Sequence, residues 1–570
     1  MATITNDLSF KTQIGVDTKG AEGLQYWNPT HGDGRGSNGI IYQDYRNSTR
    51  WNWQNVLTFT KTLAEVHNIN MNLVNEFQQQ TVNSFYGQGS NMSDSFFSHN
   101  LITGSYGTQS SGGSLAQNGF NSLAARVNYN YGLKYFFQAS VRRDGISALP
   151  KANRYGVFPG VSVGWTISKE SFMSDITVLS DLKIRASYAE VGNVNIGNYP
   201  YLGLYSSAKY ADYNGIAFAQ IGNDQLKWET SKKTDVGLDA AFKDNRFKFG
   251  FDYFMNNQDG LILGVPTPPS FGIPGNTIAK NIGKMKNWGY EFSAEAMLIS
   301  KKDFRLTVDA NLSLGKNKVM ELVDHQDIIS TYTIIRENES ISSLFGYDYA
   351  GVNMSNGNPI YKKADGSLVQ GNIPTSNYKV YDPANPTDIS VASSLVSSDR
   401  KLLGSTVPTY FGSFGVKAEF KGFDFNIMFR YSGGNNVMNR TRTDLMNQKF
   451  QNNSTEILGR WQSTDKPGDG WTPRLWYSGD AFVNLTDNTS TRWIEKGDFI
   501  KLQNVSLGYS LPKPLLSRIG IANLRFFVQG QDLLMFTKYK GIDPEMESGG
   551  VDFNGTPRQS VVTLGVNFKF

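Results

Sequence analysis

Residues 561–570, Val561-Val-Thr-Leu-Gly-Val-Asn-Phe-Lys-Phe570, alternate side-chain character with a period of two. In an extended strand Val562, Leu564, Val566, Phe568 and Phe570 point one way, and Thr563, Gly565, Asn567 and Lys569 point the other. The stretch is about as long as one tilted crossing of a bilayer core, roughly 9–11 residues. The pattern recurs along the chain. Phe247, Phe249, Phe251, Tyr253 and Met255 alternate with Arg246, Lys248, Gly250 and Asp252. Phe304, Leu306, Val308, Ala310, Leu312 and Leu314 do so with Arg305, Thr307, Asp309, Asn311 and Ser313, and Phe423–Tyr431 repeats it. A two-residue period with charges on its polar side means half-buried strands whose other face meets water. A β-sandwich and a membrane β-barrel both satisfy that rule.

Connection lengths separate the two. Short links near Ala64-Glu65, Gly132-Leu133, Lys243–Arg246, Lys301–Asp303 and Lys421-Gly422 alternate with longer ones. Medium links lie at Ser168–Ser180 and Leu511–Ile521, and long ones at 18–49, 80–120, 144–154, 193–225, 257–283, 432–497 and 532–559. Long loops at every second connection are the outer-membrane pattern of short periplasmic turns and long extracellular loops. The reading is therefore an all-β, antiparallel transmembrane β-barrel. Its strands are 7–17, 50–62, 66–79, 121–131, 134–144, 155–167, 181–192, 226–242, 246–256, 284–299, 303–316, 409–420, 423–432, 498–510, 522–531 and 561–570, about sixteen in all. Parity then requires 317–408 to add no crossing or two, with Ser342–Gly351 the best extra strand.

Composition excludes other classes. No apolar run reaches the length of a membrane helix, and a mean hydropathy of −0.38 is what polar lumen residues and long loops leave behind. A net charge of +5 spread over 570 residues makes no basic stripe, so no nucleic-acid partner is expected. Cysteine is absent, and the four histidines, His31, His67, His99 and His325, lie far apart. No metal, cofactor or catalytic site is expected, and the chain reads as a non-enzyme. Gly34-Arg-Gly-Ser-Asn-Gly39 has the spacing of a dinucleotide loop but sits in a polar connection, where a flexible loop explains it better. Asn356-Gly-Asn and Ala364-Asp-Gly366 read as turns and lack the acidic ladder of a calcium loop.

Aromatic residues crowd two of the long loops. Trp461, Trp471, Trp476 and Tyr477 lie beside Arg474; Tyr205 and Tyr210 stand among Tyr199, Tyr201 and Tyr213. Flat amphipathic rings of this kind stack on sugars or peptide side chains, so these six are the candidate substrate contacts. The competing explanations are membrane girdles and the small cores that large loops need.

Several ordered stretches resemble the SusC/RagA family of TonB-linked outer-membrane proteins. They are Ala125-Arg-Val-Asn-Tyr-Asn-Tyr131, Lys134–Gly145, Asn153–Trp165, Leu182–Tyr188 with Gly192-Asn193, Leu226–Thr230, Lys421–Phe425, Gly497–Lys501, Asn504–Ser510, Gly530–Leu533, Gly541-Ile-Asp-Pro-Glu545 and the terminal Phe570. The resemblance implies a 22-stranded barrel with an N-terminal plug, of which this chain would carry about 16–18 strands. It implies a SusD-like surface lipoprotein as partner, outer-membrane lipid around the barrel, and import of oligosaccharides or peptides driven by TonB–ExbB–ExbD. It also implies that Phe568 and Phe570 serve as the membrane-insertion signal. The chain opens directly on a strand, without the features of a secretion signal or plug, so TonB coupling is expected only if a plug is present elsewhere. The expectation is the plugless C-terminal portion of an outer-membrane importer, Bacteroidota-like. The alternatives are a passive porin-like barrel and a soluble glycan-binding or structural β-protein.

Overall fold

A computed structural model of the chain describes residues 1–92, 101, 105–211, 213–447, 452–475, 480–486, 488–516, 520–547 and 549–569. It divides into two compact units, the first made of Met1–Thr166, Arg185–Thr234 and Gln258–Ile282, the second of Ile167–Ile184, Asp235–Asn257 and Gly283–Phe570. Four long strands, Leu179–Asn193, Glu229–Phe242, Phe247–Pro266 and Thr277–Lys301, contribute residues to both. All sixteen strands expected from the alternation are present.

In the first unit an antiparallel meander runs through Leu8–Trp27, Ile40–Leu63, His67–Met92, Tyr106–Tyr131, Tyr135–Ile146 and Tyr155–Thr166. Register turns the sequence alternation into two surfaces. One row across the strands reads Phe10, Leu57, Leu73, Ala125, Val141, Pro159. The adjacent row, one residue along, reads Ser9, Thr58, Asn72, Arg126, Ser140, Gly160. A slip of one residue would exchange the two faces, so the pattern itself holds the register. The polar face is cross-linked by side chains: Thr58 to Asn72 at 2.9 Å, Asn70 to Thr60 at 2.9 Å and Asn68 to Asn130 at 3.0 Å.

The second unit repeats the design through Phe304–Leu322, Tyr410–Phe420, Phe423–Gly433, Phe499–Ser510, Asn523–Thr537 and Val561–Lys569. Its apolar row is Val308, Val416, Ile427, Val505, Gly530, Val562, and the next row is Thr307, Lys417, Asn426, Ser506, Gln529, Thr563. On the apolar face aromatics collect at two levels. Near the short turns Phe304, Phe420, Phe423, Tyr509 and Phe526 form one continuous cross-strand row. Near the long loops stand Tyr410, Tyr431 and Phe536. The 11-residue strand Tyr410–Phe420 that joins the levels covers about 34 Å, or about 26 Å along the normal at a 40° tilt, which matches the apolar band of an outer-membrane barrel. Exposed Val562, Leu564, Val566 and Phe568 lie on this lipid-suited face; Phe570 lies outside the described residues.

Three of the short connections turn on two consecutive residues with positive φ: Ala64 (47°) with Glu65 (61°), Gly132 (57°) with Leu133 (54°), and Lys421 (47°) with Gly422 (89°). This backbone matches the twist of antiparallel strands.

Two expectations change. Segments 18–49 and 80–120 are largely strand, because Ile40–Leu63 has 24 residues and His67–Met92 and Tyr106–Tyr131 have 26 each. At about 3.4 Å per residue they run far beyond a bilayer crossing. Past the membrane both faces meet water, so the hydrophobic alternation stops while the backbone ladder continues. Segment 317–408 adds no crossing. It folds into a four-stranded sheet (Ile328–Ile329, Thr333–Ile335, Ser343–Gly346, Lys401–Ser405) and a five-stranded one (Asp348–Val352, Pro359–Lys362, Leu368–Asn372, Asn377–Val380, Ala392–Ser393). The expected extra strand, Ser342–Gly351, is thus divided between two loop sheets. The Gly34–Gly39 stretch is a six-residue 3-10 turn, Gly32–Ser37, closed by Asn38 in the left-handed region.

Candidate functional site

The long loops of the second unit build a small folded assembly with its own cores. Leu344, Met438, Met446, Trp493 and Val551 form one buried cluster, and Tyr347, Tyr349, Tyr361, Val369 and Leu485 form another. Between them lies Arg492, fully buried. Its guanidinium stacks 4.2 Å from the Trp493 ring and 5.5 Å from Tyr349, and it donates to Asn484 Oδ1 at 3.1 Å. Burial pushes the Tyr349, Tyr361 and Tyr378 hydroxyls well above their ordinary range, so these rings stay neutral near the Arg492 guanidinium.

Against this assembly opens a cavity of about 580 Å³ lined by Asn439, Thr441, Arg442, Asp444, Glu456, Lys540, Asp543, Asp552 and Asn554. Helix Arg440–Leu445 presents Arg442, capped by Asn439 Oδ1, which accepts from Arg442 N at 2.8 Å. Arg442 then donates to Glu456 Oε2 at 2.8 Å and to Glu495 Oε1 at 3.3 Å. Asp552 accepts from Thr441 Oγ1 at 2.9 Å and from the Tyr539 hydroxyl at 2.6 Å. Burial, followed by the bond to Asp552, drives Tyr539 far above the usual tyrosine range and keeps it a donor. The cavity therefore offers carboxylates, a guanidinium, an ammonium and amides on one wall. Such a lining suits a ligand rich in hydroxyls or peptide groups.

The same strip of chain is anchored to the barrel wall by charge. Asp543 accepts from Glu545 N at 2.9 Å and starts a 3-10 turn at Pro544, which aims Glu545 at Lys501. Arg430 at 2.7 Å and Arg558 at 3.6 Å reach the same carboxylate, and Lys501 also contacts Asp532 at 3.4 Å.

Of the candidate contacts, Trp461 and Trp471 lie in the loop assembly. Trp461 is committed to loop packing: it donates to Met354 O at 2.8 Å, and the Arg474 guanidinium lies 5.7 Å from its ring. Gly357 (φ 77°) makes room for it, since a Cβ there would come within 2.5 Å of the indole. Trp471 sits edge-on to Tyr349 at 4.8 Å but keeps 40% of its surface open. Asp469 fixes that turn, accepting from Trp471 N, Thr472 N and Thr472 Oγ1 at 2.7–2.8 Å. Burial raises its carboxyl, and these bonds outweigh burial and hold it below the ordinary range. Trp476 and Tyr477 lie outside the described residues. In the first unit Tyr205 and Tyr210 lie on a hairpin, Leu204–Tyr210 with Tyr213–Gln220, exposed by 66% and 85%. Tyr205 and Phe218 pair on one face, Tyr210 and Tyr213 on the other.

Sequence reasoning missed the cavity residues Arg442, Glu456, Lys540 and Asp552. Their one local signal was Gly541-Ile-Asp-Pro-Glu545, whose turn sits at the cavity's edge.

Residues 3–382 match the family described as "TonB dependent receptor-like, beta-barrel". The chain is 31% identical to TonB-dependent receptor P3 of Formosa agariphila over 99% of its own length and 56% of that protein. It is 28% identical to TonB-dependent receptor SusC of Bacteroides thetaiotaomicron, covering 79% of this chain and 43% of the relative. The chain thus spans about half the length of the curated relatives it matches. Among solved structures the RagAB peptide transporter superposes with a TM-score of 0.84 at 23% identity, covering all of this chain and 60% of the other. The chain belongs to the TonB-dependent receptor family and carries its β-barrel fold.

Proposed function

We propose that this chain forms the barrel of an outer-membrane nutrient importer of the SusC/RagA type, taking up peptides or oligosaccharides with a SusD-like lipoprotein and TonB-derived energy. The observation that carries the proposal is the mixed-charge cavity of about 580 Å³ set among the long loops. Barrel strands satisfy their backbone groups within the bilayer, and the loop assembly receives cargo on the long-loop side. Trp471 supplies a stacking surface, and the Tyr205–Tyr210 hairpin supplies exposed aromatic area for cargo or the lipoprotein. The RagAB likeness and the presence of both charge signs in the cavity favour peptide over neutral glycan.

The test is binding and uptake with defined peptide and oligosaccharide libraries in cells expressing the importer. Trp471→Ala and Asp444→Asn are expected to lower cargo affinity by about tenfold each, on the order of 1–2 kcal/mol for a lost stacking or charged hydrogen-bond contact. Barrel assembly, read from heat-modifiable migration, should be unchanged. Unaltered uptake of every cargo in both variants would refute the placement of the site.

A further inference from the structure

The membrane-facing surface of the second unit carries a second cavity, of about 830 Å³, where the upper aromatic level meets the loops. Its floor is apolar. Tyr431 pairs with Ile500, and Ile500 with Phe536, in one outward row; Ile500 is 44% and Phe536 60% exposed. Its rim is cationic, formed by exposed Lys496, Lys538 and Lys540. Two acids also line it, but both are engaged from within the protein. Asp498 Oδ1 accepts from Gly434 N at 2.6 Å, and Asp498 is hydrogen-bonded by the Tyr410 hydroxyl. Glu495 accepts from Arg442, Asn439 and Lys540 N. Lys540 reaches Glu456 at 3.5 Å. Among the described residues Lys496 and Lys538 make no ion pair.

We propose that this cavity binds the phosphorylated headgroup of an outer-leaflet glycolipid, with Lys496 and Lys538 on the phosphate and Ile500 and Phe536 against the acyl chains. Level and chemistry both point to that occupant. The rim stands one aromatic tier above the apolar band, at headgroup depth, and unneutralised lysines beside a greasy floor complement an anionic amphiphile rather than a free anion. The site lies on the outward row and touches the cargo cavity only through Lys540, so it would act as an annular lipid anchor for the loop assembly above it.

The experiment is titration of the detergent-solubilised chain with bisphosphorylated lipid A, followed by native mass spectrometry. Lys496→Ala/Lys538→Ala should weaken binding on the order of 30-fold, and lipid A stripped of phosphate should bind both proteins equally weakly. Phe536→Ala should weaken binding of the intact lipid as well, while millimolar inorganic phosphate should displace little of it. Equal binding of intact and dephosphorylated lipid would overturn the proposal, as would an unaffected lysine double variant. Full displacement by phosphate, or indifference to Phe536→Ala, would make this a free-anion site and overturn the lipid assignment. All the side chains altered are exposed, and heat-modifiable migration checks folding independently.

Discussion

Glu545 is the point where the loop carrying the cavity is tied to the barrel wall, and replacing it with glutamine tests how much that tie contributes. Lys501 and Glu545 have side chains only 3% and 9% exposed, whereas Arg430 and Arg558 are 41% and 46% exposed. The exposed pairs contribute about 0–1 kcal/mol each, so the Lys501–Glu545 pair dominates. Removing the carboxylate leaves a buried ammonium with Asp532 at 3.4 Å and two arginines close by. Breaking a buried pair in this way costs about 3–5 kcal/mol. If that loss falls on local opening of 541–547, amide exchange there should accelerate by at least roughly 150-fold, at 1.4 kcal/mol per decade. Lys501→Met should cost less, because Glu545 keeps Arg430 at 2.7 Å. The double variant Lys501→Met/Glu545→Leu should return to within about 1 kcal/mol of the parent, since a well-packed apolar pair replaces a desolvated ionic one with little net loss. Exchange measured by mass spectrometry on the reconstituted protein decides the matter. Additive losses in the double variant, or no acceleration in Glu545→Gln, would show that the loop is held by packing and not by this charge.

Three further outcomes are expected. Ala64→Asn with Glu65→Gly should stabilise the barrel by about 1 kcal/mol, read as a shifted urea midpoint, because φ of 47° and 61° strains the present residues. Trp493→Ala, at a site 1% exposed whose indole donates to Asn484 O at 2.9 Å, should cost about 3–5 kcal/mol of loop-assembly stability and expose 434–497 to protease while the barrel stays folded. The loop assembly should be stable below about pH 10 and lose stability as pH rises beyond it. Tyr349, Tyr361, Tyr378 and Tyr539 have raised folded-state values, so they remain neutral while their unfolded counterparts ionise. Tyrosinate absorbance should therefore rise in two phases, the later one together with loop opening; a single early phase would contradict the burial of these hydroxyls.

The barrel strands were legible because their determinants are local. Phe423 to Tyr431 alternates over nine residues with Met428 the one exception, and a strand with one wet and one greasy face announces itself at that range. The short turns were legible for the same reason, since three residues separate the strands at Gly132–Lys134 and two at Lys421-Gly422. Where the hairpins leave the bilayer that logic fails. Gln78–Ser90 faces Thr108–Phe120 in unbroken antiparallel register, yet both faces are mostly Gln, Ser, Asn, Thr and Gly, with scattered rings and Val82, Leu115 and Ala116 in no repeating pattern. The backbone ladder carries the strand there, and no side-chain period reports it.

The loop assembly was illegible for a different reason: its contacts join residues that sequence holds far apart. Thr441 meets Asp552 across 111 positions, Tyr349 meets Trp471 across 122, and Arg442 meets Glu495 across 53. No window of sequence contains both halves of any of these pairs. This also explains why the aromatic crowding around 461–477 assigns no role to an individual ring. A tryptophan in a large loop can close a core or face cargo, and the choice depends on what a distant strand brings to it. Gly357 brings room for Trp461, so that ring is absorbed into packing. Trp471 meets Tyr349 edge-to-face and keeps 40% of its surface exposed. Adding bulk at Gly357 should therefore disturb loop folding, whereas truncating Trp471 should disturb binding first, and comparing the two separates a structural aromatic from a ligand-facing one within a single loop.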